Sequence, residues 1–477
     1  MNGTSGSDIA STRPDESRFE RTVFADRLDE PIELDVTPNG RVVYIERYGD
    51  VHLYSPDRRK NMLLAELDVE AVFSNGLLGV TLDPNFETNR WVYLYYSPVT
   101  EGQKIQRLSR FKLRDNDLLL DTEQVIIEVP VQREYHAHTG GSLAFGPKGN
   151  LYVAVGDNVS PFTSGTRYPM DERPGKAPFD AQGTSLNTNN LNGKILRIRP
   201  DSGGGYTVPE GNLFPKGTPR TKPEIYVMGA RNPYRLSVDH KTGFLYYGNM
   251  GGVDELHQVR EPGLYGGWPY FYGDRQPYPR AEKMKEDSLN PDAPRNTSPN
   301  NTGRTTLPPV QPALLWYEKE HFPALPGEGG KGVVAGPVYH SDRYPESPRK
   351  FPDYYDGKLF FYDYVRDWIK IVHFDENHEF EGMEPFLPST SFSSPIDMEF
   401  GPDGAMYLLE YGSTGYSQNP DARLSRIDYI RGNRPPEATL AASPRAGTAP
   451  LTVRLSATES FDYDEDDSLQ YRWSAAA

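Results

Sequence analysis

The sequence predicts an all-β chain built as a six-bladed β-propeller, and three observations carry that reading. The first is composition: 44 glycines, 43 prolines and 31 tyrosines in 477 residues suit many short strands joined by tight turns better than long helices. The second is repetition. An apolar strand, a turn of the Pro-Asn-Gly type, an aromatic-rich strand and a third strand with basic residues near its end recur six times along the chain. The third is a packing argument: such a unit cannot bury both faces alone, whereas radial stacking of six four-stranded sheets around a channel buries them all. A β-sandwich and a parallel β-helix are the alternatives, and the helix would need a short regular rung that is absent.

Taken in order, residues 1–20 are polar, lack apolar periodicity and read as a flexible leader. The propeller is expected over 21–432, with copies beginning at Ile32 (IELDVTPNGRVVYIERYGDVHLYSPD), Leu77 (LLGVTLDPNFETNRWVYLYYSP), Ser142 (SLAFGPKGNLYVAVGD), Tyr234 (YRLSVDHKTGFLYYGNMGG), Gly336 (GPVYHSD) and Pro395 (PIDMEFGPDGAMYLLEYG). Within a copy the strand alternation is visible, with Leu151, Val153 and Val155 set against Tyr152 and Ala154. Three insertions interrupt the repeat: 158–192, 273–309 and the stretch EKEHFPALPGEGGKG ahead of the fifth copy. Long loops on a rigid scaffold are usual places for binding and catalysis. At Asn433 the texture changes to NRPPEATLAASPRAGTAPLTVRLSATESFDYDEDDSLQYRW, with strand-like runs at 451–455 and 469–473. A second small domain begins there, and 433–477 is too short to complete a sandwich of usual size.

Charge and missing residue types exclude several function classes. Acidic side chains outnumber basic ones by 67 to 51, for a net charge of -16, which argues against nucleic acid as a partner. With no cysteine, disulfides, thiolate nucleophiles and Cys-ligated zinc or iron-sulfur centres are ruled out. No apolar run approaches the length of a transmembrane segment, and the first residues lack the basic-then-apolar pattern of a secretory signal. There is no GxSxG, Walker, HExxH or GxGxxG signature, so an NAD-dependent or P-loop enzyme is not expected.

The densest polar constellation is YHAHTGGSLAFGPKGNLYVAVGD. His136 and His138 lie two apart, on one side of an extended segment, and small residues follow that let another group approach the backbone. A neutral imidazole at His138 suits proton abstraction from a substrate hydroxyl, and Asp157, at the end of the next strand, is placed to orient it. A loop histidine bonded only for structure is the competing reading. In GARNPYRL, Arg231 and Asn232 offer a fork-shaped donor and an amide ahead of a strand, suited to a carboxylate or to pinning carbonyls between blades. In YYGNMGGVDELHQV, Gly248 and Asn249 open a loop whose oxygens suit calcium rather than zinc. Lys331, Arg366 and Lys370 are further cations that could face the channel, the last two being four apart in a strand and therefore on one face, with a solvated edge as the competing reading. Trp268, Trp316 and Tyr317 are either sugar-stacking surfaces or blade core.

The pieces NGLLGVTLDPNF, HTGGSLAFGPKGNLYVAVGD, LNGKILRIRP, GARNPYRLSVD and YGGWPY, in that order, resemble the soluble quinoprotein glucose/sorbosone dehydrogenase family. The resemblance implies a six-bladed propeller that binds pyrroloquinoline quinone (PQQ) and calcium. In that frame His138 takes the proton of a sugar or polyol hydroxyl while hydride passes to the quinone, Asp157 holds the imidazole, and Arg231 and Asn232 contact the cofactor. Lys331, Arg366 and Lys370 match cationic cofactor contacts, and Asn75 or Ser74 stands where the family carries a glutamine. Gly248 and Asn249 fall in the calcium loop, where the family often has Gly-Pro. The resemblance further implies an external electron acceptor such as a cytochrome or quinone. The segment after Asn433 resembles the opening half of a PKD domain, an immunoglobulin-like module, which associates the chain with a periplasmic or extracellular setting. Two rival expectations stand beside this one: a propeller that has lost the quinone and binds or cleaves glycans, and an extracellular adhesion module.

Overall fold

The computed structural model describes residues 12–162, 165–251, 253–260, 263–317, 332–415, 417–464 and 467–474. Six sheets form the blades, each with four antiparallel strands at its heart; the third is widened to six by Tyr206–Thr207 on its third strand and by Leu264–Tyr265, which pairs parallel to its fourth. Blade 1 runs Pro31–Val36, Val42–Glu46, Asp50–Ser55 and Lys60–Glu66. Blade 2 runs Leu77–Leu82, Trp91–Tyr96, Ile105–Arg114 and Asp117–Pro130. Blade 3 runs Gly140–Phe145, Leu151–Val155, Lys194–Pro200 and Ile225–Met228. Blade 4 runs Pro233–Val238, Leu245–Asn249, Asp254–Val259 and Leu315–Tyr317. Blade 5 runs Val333–Val338, Leu359–Asp363, Trp368–Phe374 and Phe380–Phe386. Blade 6 takes Pro395–Phe400, Met406–Glu410 and Arg423–Tyr429 from the end of the repeat, and its outer strand, Phe19–Asp26, from near the start of the chain. Each of the six copies expected from sequence is one blade.

The first strands of the blades contact one another in a closed ring around the axis. Each second strand is buried along its whole length, as in Leu151–Val155 and Met406–Glu410, because a blade is covered on both faces by its neighbours. The two side-chain rows of such a strand therefore both read apolar. Between blades 5 and 6, Phe360, Tyr362 and Ile371 pack on Met398, Met406 and Leu408. The hairpins between first and second strands carry Gly40 and Gly149 at φ 78° and 72°. Nothing lies within 4 Å of a side chain built at either, so the left-handed backbone rather than lack of space selects glycine.

Around the axis, carboxylates of one blade cap the first strand of the next. Glu33 Oε2 accepts from Val80 N at 2.7 Å, Asp397 Oδ2 from Leu34 N at 2.7 Å and Asp35 Oδ2 from Leu82 N at 2.8 Å. Arg235 crosses the channel between Glu33 and Asp397, at 3.8 and 3.7 Å.

The closing strand was not distinguished by sequence pattern. Phe19–Asp26 pairs with Arg423–Tyr429 from Phe19↔Tyr429 to Asp26↔Arg423, with a bulge between Val23 and Ala25. The ring of Phe19 sits 5.2 Å from Phe351 and 5.3 Å from Phe386. The first two insertions pack on each other: Met170, Leu186, Tyr270, Ala281 and Leu307 share one apolar cluster, and Asp180 accepts from Ser298 Oγ at 2.7 Å and Asn300 Nδ2 at 2.8 Å. Most of the third insertion, with Lys331, lies outside the described residues. Past Asn433 the described residues hold one two-stranded ladder, Ala441–Ser443 with Arg454–Ser456. Among the described residues the 469–473 run forms no strand. Arg434 ties this segment down through Asp464 at 2.9 Å and Ser17 at 2.7 Å. No helix among the described residues is long and apolar enough to cross a membrane.

Candidate active site

First strands begin and second strands end at the same end of the propeller, as the pairs Gly140↔Val155, Pro233↔Asn249 and Val333↔Asp363 show. Residues just before a first strand and just after a second strand are thereby brought together. His138 and Asp157 occupy those two places in blade 3, and His138 Nδ1 lies 2.7 Å from Asp157 Oδ1. The approach requires glycines: a Cβ on Gly141 would stand 2.5 Å from that of Leu78, and one on Gly156 would stand 2.5 Å from the carbonyl oxygen of His138.

Asp157 is fully buried and completely satisfied. Val159 N donates to Oδ1 and Trp268 Nε1 to Oδ2, each at 2.9 Å. A carboxylate fixed from three directions fixes the imidazole and assigns Nδ1 as its protonated nitrogen. His138 keeps 11% of its side chain exposed, and its Nε2 makes no hydrogen bond among the described residues. Burial and then the nearby Arg231 charge hold its pKa below the ordinary 6.5, against the opposing pull of Asp157. The result is a neutral, oriented base with one open lone pair.

Arg231 packs at 5.5 Å from the Trp268 ring, donates Nε–H to Tyr168 Oη at 3.1 Å and Nη1–H to Met250 O at 2.8 Å. Its backbone amide and that of Asn232 both donate to Asn249 Oδ1, at 2.9 and 3.2 Å. Asn232 Oδ1 in turn accepts from Gly140 N at 3.1 Å, so blade 4 is tied to the start of blade 3 directly beside His138. Arg231, Asn232, His138, Asp157 and Asn249 therefore form one connected network.

The other expected residues divide. Arg366 and Lys370 do not share a strand face: Arg366 lies in the hairpin turn after Leu359–Asp363, where its amide donates to Asp363 Oδ1 at 2.9 Å, and Lys370 lies on Trp368–Phe374. Asp363 accepts from consecutive turn amides, and that turn breaks the extended segment on which the spacing argument relied. Arg366 stands at the same end as His138, 5.2 Å over the Tyr317 ring, whereas Lys370 is buried at mid-blade beside Trp368. Asn75 is buried, its Oδ1 accepting from Gln106 Nε2 at 2.8 Å and its Nδ2 donating to Val72 O at 2.9 Å. Gly248 and Asn249 are buried in the second strand of blade 4. Asn249, Asp254 and Glu255 spend their side-chain oxygens on Arg231, Asn232, Gly251, Val333 and Gly273 amides and on the Asn249 amide. This donor set does not fit calcium through side chains, and only main-chain oxygens of the segment would serve it.

Trp268 and Tyr317 are buried and serve as structural donors, Tyr317 Oη to Asp363 at 2.7 Å. The exposed aromatic surface is elsewhere. His136 stacks on Phe73 and meets Phe162, at 5.4 Å each, and the two phenylalanines are 43% and 56% exposed. An apolar rim two residues from the base, with Arg231 behind, fits a planar anionic group such as PQQ. Neither Phe73 nor Phe162 carries a local signal in sequence beyond lying in a loop.

A family model described as Glucose / Sorbosone dehydrogenase matches residues 28–417. Aldose sugar dehydrogenase YliI of Escherichia coli is 25% identical over 399 residues, covering 82% of this chain and 90% of that protein. Among solved structures, a Thermus thermophilus protein described as a putative oxidoreductase (glucose dehydrogenase) superposes with a TM-score of 0.61 at 24% identity, covering 86% of this chain and 99% of its own. The PQQ-bound aldose sugar dehydrogenase of Streptomyces coelicolor gives 0.56 at 17% identity, covering 86% and 98%.

Proposed function

Because the chain belongs to the Glucose / Sorbosone dehydrogenase family, with relatives named as sugar dehydrogenases, we propose that this oxidoreductase is a PQQ-dependent dehydrogenase acting on a sugar or polyol hydroxyl. The observation that carries the reading is the His138–Asp157 pair, an imidazole held at 2.7 Å by a buried carboxylate with Nε2 open. In this reading His138 Nε2 takes the hydroxyl proton and Asp157 stabilises the imidazolium that forms. Arg231 and Asn232 hold the cofactor's anionic edge, and Arg366 adds a second cation at that end. PQQ, when bound, supplies the two-electron acceptor. The exposed Phe73–His136–Phe162 rim offers the cofactor or substrate an apolar face close to the base.

Calcium enters the reading only through main-chain oxygens around Gly248 and Asn249. An external acceptor such as a cytochrome or quinone completes the turnover, and a periplasmic or extracellular setting goes with the family likeness. Lys331, outside the described residues, stays a proposed cofactor contact. The PKD-like reading of 433–477 likewise stays a proposal.

The test is titration of the purified protein with PQQ, with and without calcium, followed by absorbance and then by dye reduction across a panel of sugars and polyols. Saturable binding with sugar-dependent reduction is expected, and in His138→Ala the reduction should fall steeply while the binding remains. No PQQ binding in excess cofactor would sink the proposal and leave a glycan-binding or glycan-cleaving propeller.

A further inference from the structure

Opposite the His138 end, the turns of blades 1 and 2 enclose a cleft of about 740 Å³ whose lining includes Arg41, Arg58, Arg90, Lys112 and Arg114. Topology puts them there: Arg41 and Arg90 immediately precede the second strands, Lys112 and Arg114 close the third strand of blade 2, and Arg58 follows the third strand of blade 1. Only two carboxylates, Asp57 and Asp115, line the same cleft. That local surplus of positive charge stands on a chain whose net charge is -16.

Among the described residues none of the five cations has a carboxylate oxygen at ion-pair distance. Their recorded partners are neutral or aromatic. Arg41 donates to the Asp115 carbonyl at 3.3 Å and to Asn116 Oδ1 at 3.4 Å. Lys112 donates to the Asn89 carbonyl and lies 3.8 Å over the Trp91 ring, while Arg90 covers Phe86 at 5.4 Å. Burial, then Arg90 and Arg58, push the Arg41 guanidinium below its ordinary range, so the groups feel one another's charge. Arg58, Arg90 and Arg114 are exposed and Arg41 and Lys112 half-buried, so the five form a solvent-accessible basic surface whose summed field favours an anion. Guanidinium forks match the paired oxygens of phosphate-type anions, and a lysine adds a point charge.

We propose that this cleft is a binding site for a soluble, polyvalent phosphate-type oxyanion, such as a phosphate ester. The volume is that of a small-molecule site, and its position separates it from the dehydrogenase chemistry, on which it does not depend.

The experiment is calorimetric titration of the full chain with inorganic tripolyphosphate at low ionic strength, repeated with added salt. One-site binding that weakens with salt is expected. In the double variant Arg58→Glu, Arg90→Glu the affinity should be roughly tenfold or more lower, with an unchanged thermal unfolding midpoint. No saturable binding would overturn the proposal, and so would undiminished affinity in the variant, which would place the anion elsewhere, for instance beside Arg231. Co-sedimentation with phosphatidylglycerol vesicles separates the two sources of phosphate: binding to those vesicles without binding to tripolyphosphate overturns a soluble ligand in favour of a lipid surface.

Discussion

At the scale of single residues, the protonation of His138 decides when the site is competent. Burial and the Arg231 charge disfavour imidazolium, so the base is free above a pKa lower than 6.5 and is lost as pH falls through it. The acid limb of a kcat/KM profile should lie below pH 6.5, and Arg231→Gln should move it upward by removing a neighbouring cation. His138→Ala should lower kcat by about 10² to 10⁴ while the PQQ absorbance change persists, which separates proton transfer from cofactor binding. His138 and Asp157 were legible in sequence because they flank one hairpin only 19 positions apart. Trp268 as donor to Asp157 was not, because it arrives from a loop 111 positions away. The readings of Asn75 and Asn249 as ligands came from position in a motif, which says nothing of the neighbours that occupy their amides.

At the scale of elements, the repeats were readable because the apolar rows recur and related turn chemistry joins most first and second strands, although in blade 5 a longer connection with two short helices, Ser341–Arg343 and Asp353–Tyr355, takes its place. Arg366 and Lys370 were misread as one strand face because YDYVRDW has strand-like composition, and the aspartate that caps the turn is invisible to periodicity. Phe19–Asp26 escaped notice for a related reason: it is an outer strand with an alternating, half-exposed pattern, bracketed by polar residues. Its grip on blade 6 is testable. Phe19→Ala removes a ring that packs on Phe351, Phe386 and Tyr429, and should cost roughly 2–4 kcal/mol in denaturant unfolding. Val23→Ala, at an exposed position beside the bulge, should cost little.

At the scale of the whole molecule, the channel carboxylates join the blades into one electrostatic unit. Burial raises Glu33, Asp397 and Glu399, and brings Asp35 to about 6. Raised in the folded state, these groups bind protons that the unfolded chain has released, so their stabilisation is complete below the ordinary carboxylate range and fades as pH rises through the raised values. Asp35→Asn isolates the effect: relative to wild type, its unfolding free energy should improve as pH rises from about 4 to about 6, by up to about 3 kcal/mol, and then stay level. The ring itself carries a last consequence. Arg18 and Ile430 share a hydrogen bond across 412 positions, so a ribosome releases the closing strand long before its partner exists. Until blade 6 emerges, the nascent chain carries an orphan strand at one end and an open edge at the other, each complementary to the same parts of a neighbouring chain. Dense polysomes are then the setting in which two copies exchange their first strands, and rapid completion of the final blade shortens the time in which they can do so.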